Sequence, residues 1–318
     1  MEFRQLGRST LSLSVAGLGC NNFGRPDTGT FTQEGTTAVV DAALASGVTF
    51  FDTADIYGAE FGLSERLLGQ ALVGRRDDVI IASKFGHSGF ASPIPGAKGS
   101  RAYIRAAIDG SLTRLRTDRI DLFQLHTPDP GTPIEETLDA LGELQREGKV
   151  IEVGHSNFDV AQTREADAAA ETPGRARFES AQNEYSLLAR GVERDLLPVL
   201  AELGIGFLPY FPLANGLFSG KFSRTDRPAD SRIARQRPHI ADNAPWDAIE
   251  ALDVMAVERG ITLLEATFGW LLAKPAMTSV IAGATRPEQV RQNAAAATAW
   301  HPSADELAAI DALFPIDV

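Results

Sequence analysis

Four side chains in this 318-residue chain are of kinds that hold and move protons, and three of them directly follow short apolar runs. Asp52 follows Phe50-Phe51, Lys84 follows Ile80-Ile81-Ala82-Ser83, and His126 follows Leu122-Phe123-Gln124-Leu125. Tyr57 comes shortly after Asp52. A free tyrosine has a pKa of about 10, so its phenol keeps a proton at neutral pH and can donate it. A neighbouring ammonium such as Lys84 favours the phenolate and helps that proton leave, and Asp52 would fix and neutralise Lys84. His126 could donate a hydrogen bond to an oxygen and orient it. An aspartate after a strand is by itself more often a cap or turn residue. The company of the other three gives Asp52 its chemical reading.

More polar groups end other apolar runs. Ser156 and Asn157 follow Val153-Gly154-His155, and Gln182 and Asn183 follow Ser180-Ala181. Tyr210 follows Gly206-Phe207-Leu208-Pro209, and Gly283 follows Val280-Ile281-Ala282. These groups meet only if the runs are neighbouring strands. The strand-like runs are Val15–Gly19, Val48–Phe51, Val79–Ala82, Ile120–Leu125, Val150–Val153, Phe178–Ala181, Ile205–Leu208 and Ser279–Ile281. Between them lie helical spacings such as Ile104, Ile108, Leu112, Leu115 and Ile134, Leu138, Leu141, Leu144. Capping patterns start at Thr132-Pro133, Thr262…Glu265, Thr285…Glu288 and Ser303…Glu306.

Strands that alternate with helices imply a parallel sheet, because parallel neighbours need a crossover. Eight units favour closure into an α/β (β/α)8 TIM barrel, one domain over residues 1–318, with an open doubly wound sheet as the alternative. Active-site residues of such barrels sit at the C-terminal ends of the strands, where the polar groups above fall. Phe3 to Ser14 would form an N-terminal β-hairpin across the barrel bottom. Ala214–Pro245 is a long loop after the seventh strand, rich in Arg, Asp and Pro, and reads as a lid.

Apolar residues make up 44% of the chain, enough for a sizeable core. No apolar run is long enough to cross a bilayer, and Met1 to Ser14 lacks a signal-like apolar core, so a cytoplasmic protein is expected. The net charge of −12 opposes unspecific binding to nucleic acid or anionic membrane but leaves room for an anionic cofactor held by a few local cations. The single cysteine, Cys20, cannot form an internal disulfide and reads as rim lining. No HExxH pattern or metal-ligand cysteine spacing occurs, so no metal is expected. Gly17 to Asn22 lacks the third glycine of a dinucleotide fingerprint, and Gly216 to Lys221 is one residue short of a phosphate loop. Gly154-His155-Ser156-Asn157-Phe158 has phenylalanine where a nucleophile elbow needs glycine, which disfavours an α/β hydrolase.

The segment from Gly47 to Gly58, with Phe50-Phe51-Asp52-Thr53-Ala54-Asp55-Ile56-Tyr57-Gly58, resembles the signature of the aldo-keto reductase superfamily. The resemblance continues through Lys84, Asp121 to His126, Gly154 to Phe158, Gln182 to Ser186, Leu208 to Leu213 and Gly283 to Asn293. It implies an oxidoreductase that uses NADP(H), with NAD as the alternative, on a small-molecule carbonyl substrate. Asp52, Tyr57, Lys84 and His126 would be its catalytic tetrad, with Tyr57 protonating the alkoxide left when hydride reaches a carbonyl carbon. Ser156, Asn157 and Gln182 would hold the nicotinamide carboxamide, and Tyr210 would stack on its ring. Leu213 and Lys221 would line the pyrophosphate. Gly283, Thr285, Arg286, Gln289 and Asn293 would hold the adenosine end.

Three positions depart from the commonest pattern of that family: Phe211 beside Tyr210, His155, and the Gly283-Ala284 pair. The last weakens a preference for NADP, although Arg286 offers another anchor. His155 reads as structural, and His87 could face the substrate. Phe23, Phe85, Phe90, Phe211 and Phe218 would make the pocket partly apolar. A non-catalytic nicotinamide-binding module, as in potassium-channel beta subunits, is the competing function. No motif names the substrate or the oligomeric state.

Overall fold

The computed structural model describes residues 1–229 and 231–316. Phe3–Gln5 (β1) and Ser12–Ser14 (β2) form the expected antiparallel hairpin. Eight parallel strands follow: β3 (Ala16–Gly19), β4 (Phe50–Asp52), β5 (Ile80–Phe85), β6 (Ile120–Leu125), β7 (Val150–Ser156), β8 (Phe178–Gln182), β9 (Gly206–Phe207) and β10 (Val280–Gly283). Each matches one of the apolar runs. Their order is β10-β3-β4-β5-β6-β7-β8-β9. The remaining two edges meet as well. Phe207 N donates to Ala276 O at 2.7 Å and Thr278 N donates to Phe207 O at 3.0 Å, a parallel bridge just before β10. The sheet therefore closes into a (β/α)8 barrel, and closure removes the unpaired edges an open sheet would keep.

The crossovers are α1 (Gln33–Ala45), α2 (Leu63–Ala71), α3 (Arg101–Leu115), α4 (Ile134–Arg146), α5 (Val160–Ala169) and α6 (Leu196–Leu203). After β9 come a 3-10 stretch at Ala214–Ser219, two short helices, α7 (Arg232–Gln236) and α8 (Pro238–Asp242), and then α9 (Trp246–Glu258) and α10 (Leu263–Leu272). α11 (Pro287–Ala299) and α12 (Ala304–Leu313) follow β10. Among the described residues, no helix is long and apolar enough to cross a membrane.

Two of the four expected caps form as capping boxes, Thr262 with Glu265 and Ser303 with Glu306. The other two differ. Thr132 does not cap α4, which starts behind Pro133; its hydroxyl instead donates to Asp129 Oδ2 at 2.9 Å. At α11, Pro287 takes the first helical position and moves the start one residue on, so Gln289 replaces Glu288 as the third residue. Gln289 Oε1 accepts from Thr285 N, Thr285 Oγ1 and Arg286 N at 2.8, 3.1 and 3.2 Å.

Side chains alternate across a strand, and that period of two sorts the core. Phe50, Ala82, Leu122, Leu208 and Ile281 cluster with Leu6 and Leu13 of the hairpin. Their neighbours Phe51, Ile81, Phe123, Phe207 and Ala282 join the larger cluster shared with the helices. The first set is the barrel interior, plugged from below by the hairpin. Two residues further along each strand lies the next inward position: Asp52 above Phe50, Lys84 above Ala82, Tyr210 above Leu208 and Gly283 above Ile281. Gly154 is forced at its own inward position, since a Cβ there would stand 2.0 Å from Ser180 Oγ.

His155 points outward from β7 and is fully buried. Its ring stacks on Phe158 at 4.5 Å and meets Phe178 edge-on at 5.3 Å. Neither ring nitrogen has a hydrogen-bond partner. Burial pushes its pKa down to about 3. Between the unfolded value of about 6.5 and that folded value, the unfolded chain binds more protons, so stability is lost as pH falls. Wild-type stability from denaturant titrations should therefore fall between pH 6 and pH 4, with His155 contributing about 1.4 kcal/mol per pH unit. His155→Leu should flatten that slope, whatever its stability at pH 7; an unchanged slope would locate the acid sensitivity elsewhere.

Candidate active site

The floor of the site is built on β4 and β5. Lys84 Nζ donates to both carboxylate oxygens of Asp52 at 2.7 Å each and to Thr53 O at 2.9 Å. Lys84 is fully buried and Asp52 nearly so. Gln182 Nε2, from β8 across the barrel, adds a bond to Asp52 Oδ1 at 3.0 Å. The segment carrying Tyr57 is stitched to the end of β5: Thr53 N donates to Ala82 O at 2.9 Å and Asp55 N to Lys84 O at 3.1 Å. Gly58, at φ 109°, then turns the chain back, and a side chain there would strike Leu63. Lys84 Nζ lies 5.2 Å from the centre of the Tyr57 ring.

Burial raises the Tyr57 pKa, Lys84 opposes it, and Asp52 adds to it; the balance lies above the ordinary value. The ammonium acts in the expected direction, but burial outweighs it, so the phenol stays protonated at neutral pH. Burial works against the Lys84 charge, yet Asp52 and Tyr57 hold its pKa above the usual lysine range. His126 is pushed well below its usual range by burial, then by Lys84 and His87, and is a neutral imidazole. Its ring meets Tyr57 edge-on at 5.9 Å and His87 at 4.6 Å. Cys20 is buried, and burial followed by Asp52 pushes its thiol well above the ordinary value, which makes it an unreactive packing group.

Above this floor opens a cleft of about 1240 Å³, lined by Asp52, Tyr57 and His126. Lys84 lies beneath the lining. Ser156, Asn157, Gln182 and Tyr210 form one stretch of wall. They are tied together: Ser156 Oγ donates to Gln182 O at 2.7 Å, Asn157 Nδ2 to His126 O at 3.0 Å, and Tyr210 Oη to Asn157 Oδ1 at 3.0 Å. Leu213 and Lys221 line the next stretch, and Gly283, Thr285, Arg286, Gln289 and Asn293 line the far end. All the expected site residues except Lys84 therefore line one cleft, and Lys84 sits beneath it.

Across residues 16–314 the chain matches the model of the aldo/keto reductase family. It belongs to that family. It is 34% identical to the L-glyceraldehyde 3-phosphate reductase of Escherichia coli K12, over 98% of this chain and 92% of that protein. An uncharacterized oxidoreductase of Bacillus subtilis is 35% identical, over 92% of this chain and 89% of its own. A probable voltage-gated potassium channel subunit beta of Arabidopsis thaliana is 33% identical, over 92% and 90%.

Some expectations for this aldo/keto reductase need correcting. Only Phe90 and Phe211 of the five phenylalanines line the cleft; Phe23, Phe85 and Phe218 are fully buried in the core. Strand alternation and helix packing turn those three away. The segment after β9 is more than a covering loop. It is pinned by buried Leu217, Phe218, Ile233 and Ala241 and forms a side wall of the cleft. His87 does line the cleft, its Nδ1 accepting from Gly89 N at 2.9 Å. Sequence reasoning missed Arg25, Arg232, Arg235 and Arg237, all of which line the cleft. For Arg232, Arg235 and Arg237 the signal was the arginine content of the long segment, which said nothing about where those side chains converge; Arg25 lies outside it, in the loop after β3.

Removing one partner of a buried ion pair leaves the other uncompensated, at a cost of about 3–5 kcal/mol. Lys84→Met should lose stability of that order in chemical denaturation. Adding Asp52→Asn should recover part of it. A loss under 1 kcal/mol in the single variant would mean that Asp52 relaxes to solvent through the cleft.

Proposed function

We propose that the protein transfers a hydride between NADP(H) and a carbonyl or alcohol substrate, an aldehyde, ketone or sugar, with Tyr57 as general acid and base. The observation that carries this reading is the buried Lys84–Asp52 pair behind a protonated Tyr57 phenol at the floor of the cleft. The donor set suits a nicotinamide dinucleotide. One end offers amides and the ring of Tyr210; the other offers Arg286, Thr285 and Asn293. Between them, Lys221 makes no ion pair among the described residues, and Gly216, at φ 103°, leaves open space where a side chain would stand. NADP(H), when bound, would supply or accept the hydride. Ser156, Asn157 and Gln182 would hold the carboxamide, Tyr210 would stack on its ring, and Leu213 and Lys221 would line the pyrophosphate. Gly283, Thr285, Arg286, Gln289 and Asn293 would hold the adenosine end, with Gln289 also bracing the start of α11.

The chain's own part is proton management. Tyr57 gives its proton to the oxygen that gains charge, and Lys84 stabilises the phenolate left behind. Asp52 fixes Lys84. Neutral His126 has one N–H to give to the same oxygen and leaves it no competing positive charge. Two relatives bear reductase or oxidoreductase names and one a channel-subunit name, so turnover must be tested directly.

Wild-type protein should reduce 4-nitrobenzaldehyde with NADPH. In single-turnover assays Tyr57→Phe should lose about 10²–10⁴ in hydride-transfer rate while still binding NADPH. Lys84→Met should also lose rate, and the double variant should lose less than the product, because both act on one proton transfer. Near-normal rates in Tyr57→Phe would move the proton donor elsewhere. NADPH binding without turnover in wild type would favour the non-catalytic binding module.

Arg286 stands at the cap of α11, where a helix N-terminus and a guanidinium together favour a phosphate. Arg286→Ala should lower the ratio of NADPH to NADH efficiency by roughly tenfold or more. An unchanged ratio would remove Arg286 from cofactor selection.

A further inference from the structure

A second histidine stands beside His126 on the cleft wall. The chain turns at Gly86, φ 77°, directly after β5, and brings His87 there. The His87 ring meets His126 edge-on at 4.6 Å and Phe90 edge-on at 4.8 Å. Its loop is held from several sides. Thr127 Oγ1 donates to Gly86 O at 3.1 Å and accepts from Ser88 N at 2.9 Å. Lys98 Nζ donates to His87 O and to Phe90 O. Asp129 Oδ2 accepts from Gly99 N at 2.6 Å and fixes the far end of the loop. His87 and Thr127 come from the loops after β5 and β6, whereas the residues assigned to the cofactor come from β7 onward.

His87 Nδ1 accepts from Gly89 N at 2.9 Å. A ring nitrogen that accepts carries no proton, so the proton of the neutral ring sits on Nε2. Burial and then Lys98 hold the His87 pKa below the usual range, which keeps the ring a neutral donor at pH 7. Among the described residues, nothing accepts from Nε2, and the half-buried ring offers it to the cleft. A carbonyl oxygen has two lone pairs. In the reaction proposed above, Tyr57 and His126 take both. A third donor, its ring centre 4.6 Å from that of His126, has to find a different oxygen. One so near the first belongs to the atom next to the carbonyl carbon.

We propose that His87 is a specificity-determining residue: its Nε2–H donates to an oxygen on the carbon next to the reacting carbonyl, and so selects α-oxygenated aldehydes and ketones over simple ones. This rests on the hydride-transfer reading of the site. A neutral donor suits a hydroxyl or oxo oxygen, whereas a carboxylate gains more from a cation. One neutral hydrogen bond in a half-buried position discriminates by about tenfold. The loop bonds hold the ring in place before substrate arrives, so little of that is lost to ordering.

The test uses pairs in which a methyl group replaces the second oxygen: glycolaldehyde with propionaldehyde, and 1-phenyl-1,2-propanedione with isobutyrophenone. The members of a pair differ in intrinsic reactivity, so the readout is how their ratio of kcat/KM changes between wild type and variant. His87→Phe keeps a ring and removes the donor; it should lower the ratio by about tenfold in at least one pair. His87→Gln restores an N–H and should recover most of it. The pair that responds shows whether the acceptor is a hydroxyl or an oxo oxygen. A ratio unmoved in both pairs would overturn the proposal. Equal losses for both members of a pair would do so too, by placing His87 on the reacting oxygen itself. Calorimetric binding of the dione and of isobutyrophenone to the NADP-saturated protein gives a readout free of turnover, since the oxidised cofactor has no hydride to give. If no carbonyl is reduced but the dione binds more tightly and that preference depends on His87, the hydride-transfer reading fails and the donor site stands. If carbonyls are reduced and both preferences survive His87→Phe, the donor site fails on its own.

Discussion

An ammonium with no exposure to solvent sits in the middle of this barrel, and much of the site is arranged to keep it charged. Lys84 holds its proton because Asp52 accepts from it twice and Thr53 O once. That geometry needs β4 and β5 to be neighbours in a fixed register, which pairs Asp52 with Ala82. It needs Gln182 from the opposite wall to share the carboxylate, which only a closed barrel can provide. It also needs a dry interior, and the hairpin residues Leu6 and Leu13 seal the barrel from below. A single shift of one residue in either strand would turn Lys84 or Asp52 outward into the helix layer.

Sequence reasoning reached most of this because the barrel repeats one rule. Each apolar run gives a strand, and the first polar inward position past its apolar core gives a site residue. Asp52, Lys84 and Tyr210 obey it, whereas in β8 and β6 a polar inward residue, Ser180 or Gln124, comes before Gln182 or His126. The rule fails where a contact joins segments far apart in the chain through loops. Arg25 and Arg232 are such a case, since nothing in either loop encodes its distance from the other. Phe23, Phe85 and Phe218 fail for a different reason: proximity to the rim in sequence does not say which way a ring points. Thr132 and Glu288 fail more locally, because Pro133 and Pro287 set where each helix begins.

Charge is partitioned sharply in this molecule. Most arginines on the outer surface are answered by carboxylates, as in Arg164 with Glu202 or Arg224 with Glu250. Exposed pairs of this kind contribute little each. The cleft reverses the pattern: Arg25, Arg232 and Arg237 line it, and no acid among the described residues is paired to them. An acidic exterior around a basic cleft directs anions inward, since low-dielectric walls focus the field.

The groups closest to the floor follow the opposite policy. Cys20 and Tyr57 are held above their ordinary pKa values and His126 below its own, so each is uncharged at neutral pH. Asp55, buried in the segment that carries Tyr57, is pushed up to about 7 by burial and by Glu65, so it is about half ionised at neutral pH. Cys20, Tyr57 and His126 are thus the neutral groups around the Lys84–Asp52 pair. In the proposed reaction, an oxygen gaining negative charge above Tyr57 would meet two neutral donors, the phenol and the imidazole. Of these, only the phenol has a cation behind it to stabilise what remains after its proton leaves. His126 has no such support, because Lys84 and His87 act on it in the same sense as burial, against protonation. In the proposed reaction the direction of proton transfer would therefore be set by which donor the buried ammonium faces, and that is Tyr57.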